Sequence, residues 1–61
     1  MNRKFSSYQQ AEWLAWFVQA LLARHPRLSG HIDLDAARNY FFSGTPIDRA
    51  VVEYCIARNI E

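Results

Sequence analysis

Two proline-centred breaks constrain this chain more than any other feature. Pro26 disfavours helix at the residue before it. Ser43-Gly44-Thr45-Pro46 joins a glycine suited to a left-handed helix end with a proline suited to the start of the next helix. These breaks leave three segments, and in each the apolar residues recur at three- and four-residue spacing. No alternating strand pattern competes. The reading is all-α: a small three-helix domain over residues 1–61, with one long N-terminal helix packed on a helix-turn-helix-like hairpin. The expected helices are 7–25, 33–43 and 46–58.

Local signals support each boundary. Ser7 with Gln10 three residues later fits a capping box, and Ser6 is an alternative cap. Arg24 and His25 fall in the last turn of the first helix, where positive charge suits the exposed carbonyls. Asp33 can accept hydrogen bonds from the open amides of the second helix, and Asp35 adds favourable charge. Leu34, Ala37 and Phe41 share one face of that helix, broadened by Tyr40 and Phe42. For the third helix, Thr45 is the expected cap, Pro46 the first residue and Asp48 the third. Its apolar stripe is Ile47, Val51, Tyr54 and Cys55, flanked by Ala50 and Ala57, with Arg49 and Glu53 pointing away. The helix is expected to run to about Arg58 and to fray toward Glu61.

A chain of 61 residues beginning with Met1 reads as one complete small protein with one core. Scaffolds of this size commonly add disulfides, a metal or a second subunit. Cys55 is the single cysteine, which excludes an intrachain disulfide. The 51% hydrophobic and 15% aromatic content excludes a disordered class, leaving aromatic packing and self-association. One cysteine without a signal-peptide pattern points to a reducing, cytoplasmic setting. Arg3 and Lys4 are followed by Gln9, Gln10 and Glu12 where a signal would be apolar. The apolar run from Trp13 to Ala23 is 11 residues, against about 20 for a membrane span. Binding at a membrane surface is a third and weaker reading.

Charge is unevenly placed. Residues 1–30 carry Arg3, Lys4, Arg24 and Arg27 against Glu12, a net +3. Residues 31–61 carry Arg38, Arg49 and Arg58 against Asp33, Asp35, Asp48, Glu53 and Glu61, a net −2. This bears on DNA binding, because phosphate contacts need cations on the reading helix. The hairpin of helices two and three has the outline of a helix-turn-helix, yet its third helix opens with Asp48 and one arginine, Arg49. An ordinary helical hairpin is the preferred reading. A DNA-binding regulator would draw its phosphate contacts from Arg3, Lys4, Arg24, Arg27 and Arg49.

Catalytic and metal constellations are missing from the pattern. His25, His31 and Asp33 form the one grouping that resembles metal ligands, but zinc sites draw on three or four matched ligands. His25 is better read as a helix-end cation and His31 as a loop residue. Cys55 shares an apolar stripe, where a thiol is inert. There is no glycine-rich phosphate loop and no nucleophile elbow. No enzyme activity, cofactor or metal is expected.

The aromatic residues remain. Phe17, Phe41 and Tyr54 are assigned to the interior. Counting roughly 100° per residue puts Leu14, Phe17, Val18 and Leu21 on one side of the first helix and Gln9, Glu12 and Gln19 on the other. Trp16 falls on that polar arc and Trp13 at its edge. An indole there is covered either by the chain itself, under Phe5 or the C-terminus, or by a partner. The expected contact surface is Trp13, Trp16, Ala20 and Ala23, with Arg24 or Arg27 at its rim and Tyr40 or Phe42 joining it. The function expected is non-catalytic binding of another protein, as adaptor, inhibitor or modulator, with a homodimer as one form. In its brevity and aromatic content the chain is similar in character to small phage- or plasmid-borne modulators.

Overall fold

The computed structural model describes residues 7–60 and contains three α-helices and no strand among them. They are α1 (Ser7–Arg24), α2 (Leu34–Phe42) and α3 (Ile47–Ala57), with a short 3-10 turn at Pro26–Leu28. The architecture is the expected all-α, three-helix one. The boundaries differ by a residue where the capping differs. Ser7 is the first residue of α1, and the alternative cap Ser6 lies outside the described residues. Pro46, not Thr45, precedes α3 as its cap: its carbonyl accepts from the Ala50 amide at 2.8 Å, and no side chain caps the helix. Asp48 is therefore the second residue of α3.

The α2 start is as read from the sequence. Asp33 Oδ1 accepts from the amides of Asp35 and Ala36 at 3.0 and 3.2 Å. Long-range contacts then tie this end of α2 to the end of α3. The Asp33 amide donates to the Tyr54 hydroxyl at 2.9 Å, and Arg58 reaches Asp33 Oδ2 at 2.7 Å while lying over the Tyr54 ring. The Ala36 amide, foremost, and then the Arg58 charge hold the Asp33 carboxyl below its ordinary 3.8, against some desolvation. A carboxyl that binds its proton less tightly when folded stabilises the fold above its unfolded value, and that contribution vanishes as pH falls through the lower folded value. Thermal melts between neutral pH and pH about 2 are expected to show less acid destabilisation for Asp33→Ala than for the wild type.

Two helix ends are closed in the same way. Gly44 (φ +78°) follows α2, with amides of Gly44 and Thr45 donating to the carbonyls of Phe41 and Tyr40. Asn59 (φ 56°) follows α3, with amides of Asn59 and Ile60 donating to Ile56 and Cys55. Both are Schellman closures. The end of α3 is thus at Arg58, as expected to within a residue, and the Ile60 side chain beyond it packs on the core; Glu61, toward which fraying was expected, lies outside the described residues. A Cβ at Gly44 would meet nothing within 4 Å, so its penalty is conformational alone. Gly44→Ala is expected to lower stability by about 1 kcal/mol in chemical denaturation.

The core is Phe17, Leu21, Ala37, Ala50, Val51, Tyr54 and Cys55, with Phe41 also buried. Phe17 stacks on Trp13 and meets the edge of Tyr54, both at 5.6 Å between centroids. Phe17, Phe41 and Tyr54 are thus interior, as expected. Two assignments change. Leu34 is 41% exposed, because Ala36, Ala37, Tyr40 and Phe41 set the inward arc of α2 and Leu34 lies about a quarter turn from its centre. Ala50 is fully buried and does not merely flank the stripe. Ala57 flanks the stripe as expected, exposed at its edge.

Candidate contact surface

Packing fixes which side of α1 faces outward. Phe17 and Leu21 are buried and Leu14 and Val18 half-buried, so α1 turns this arc toward α2 and α3. Helical geometry then carries Gln9, Glu12, Trp16, Gln19 and Ala23 to the outside, and all five are exposed. Trp16 keeps 58% of its surface in contact with solvent. Of the two suggested covers, Phe5 lies outside the described residues, and Ile60 packs on the core.

Trp16 stands between two shallow grooves. One, of 310 Å³, is lined by Gln9, Glu12, Trp13, Trp16, Phe41 and Ile47. The other, of 370 Å³, is lined by Trp16, Gln19, Ala20, Ile47 and Asp48. The first turn of α3 therefore sits beside the indole and forms a wall of both. The α1 periodicity gives no hint of this. Ile47 reads in sequence only as part of the α3 core stripe, and Asp48 only as a helix-start charge.

The residues read as a contact surface divide into groups. Trp13 and Ala20 are half-buried: each packs on the core and also lines a groove. Ala23, Arg24 and Arg27 are exposed and line neither groove; Ala23 and Arg24 are in the last turn of α1, and Arg27 is in the 3-10 turn beyond it. Tyr40 packs on the core, whereas Phe42 is 55% exposed; neither lines a groove. Other exposed apolar side chains, Val52 and Ile56, lie on the outer face of α3. Neither forms part of a groove wall.

Charge sorts the surface further. Glu12 and Asp48 line the grooves, and neither pairs with a cation among the described residues. Arg24 and Arg27 likewise pair with no described carboxylate. The other described arginines are engaged: Arg38 with Asp35, Arg49 with Glu53 at 3.0 Å, and Arg58 with Asp33. Of the cations read as phosphate contacts, Arg3 and Lys4 lie outside the described residues.

Elsewhere the chemistry is sparse. Among the described residues no group of three or more His, Cys, Asp and Glu is placed to hold a metal. Cys55 is 8% exposed within the core. No described helix is long and apolar enough to cross a membrane. No protein family, curated protein or solved structure matches the chain at a significant level.

Proposed function

We propose that this chain is a non-catalytic binding module whose contact surface is the outer face of α1, centred on Trp16. The observation that carries this reading is the 58% exposure of an indole that forms a wall of two grooves. Tryptophan is enriched at binding hot spots because it buries a large area with few rotatable bonds. Trp13, Ala20 and Ile47 supply an apolar floor around it. Glu12 and Asp48 supply an acidic rim, so a complementary partner presents a cation beside an apolar side chain. A reducing compartment such as the cytoplasm suits the single buried thiol.

Regulation through DNA has less support. In a helix-turn-helix the opening turns of the second helix face the bases. In α3 those turns carry Asp48 and an arginine tied to Glu53. The test is a gel shift with mixed-sequence DNA at low salt. No shift is expected, and a complex that weakens steeply with added salt would favour the DNA reading.

A further inference from the structure

We draw no further inference here: the strongest candidate, the grooved apolar face around Trp16 between the outer side of α1 and the first turn of α3, belongs to the surface already described, and nothing in the structure shows what covers it.

Discussion

Phe17→Ala is expected to leave the chain unfolded at room temperature. The Phe17 side chain has no solvent exposure, stacks on Trp13 from its own helix and meets Tyr54 from α3. Truncating a buried phenylalanine to alanine costs about 3–5 kcal/mol. A domain of this length holds only about 3–9 kcal/mol in total. The loss also strikes the α1–α3 contact, so no second core remains to compensate. Circular dichroism at 25 °C should show collapse of the helical signal, whereas Phe17→Leu, which keeps most of the volume, should stay folded. A Phe17→Ala protein that still melts cooperatively well above room temperature would mean that the core is organised around other residues.

Trp16→Ala is expected to do the opposite, leaving the fold intact and removing the assembly. An exposed surface position away from caps and strain changes stability by about 0.5 kcal/mol or less. The same truncation at a binding anchor costs about 2 kcal/mol or more, which is a weakening of at least about 30-fold. The comparison needs a melting curve and an assembly constant measured on the same variant. Retained assembly with an unchanged melt would remove Trp16 from the contact surface.

Helix number, order and approximate limits were legible because the breaks at Pro26 and Gly44-Pro46 act through local backbone geometry. The Asp33 cap was legible for the same reason, since its partners are two and three residues away. Properties set by the approach of distant segments were not legible. Arg58 and Tyr54 reach Asp33 across more than twenty residues, and nothing in the local pattern of either segment announces the other. Leu34 was misplaced because periodicity defines a stripe but not the centre of the arc that a neighbouring helix covers. The limit of α3 was legible but its closure at Asn59 was not, because asparagine in a left-handed closure is a weaker signal than glycine.

The contact surface divides in the same way. The outward position of Trp16 follows from the α1 wheel alone. Its setting does not, since Ile47 and Asp48 come from the start of α3 and make the surface grooved and acid-rimmed. Trp13 lies at the edge of the wheel, and only packing decides its double role. Its ring stacks on Phe17 and leans on Phe41 while still lining a groove. Of the two aromatics of α2 expected to join the surface, Tyr40 packs on the core and Phe42 is exposed.

The most direct test of the account is the solvent accessibility of the Trp16 ring itself. In a Trp13→Phe background, Trp16 is the one remaining tryptophan and its fluorescence can be followed alone. The account predicts red, water-exposed emission that acrylamide quenches readily. Blue emission shielded from acrylamide in the dilute monomer would show the indole sheltered by its own chain, and the case for recognition through α1 would fall.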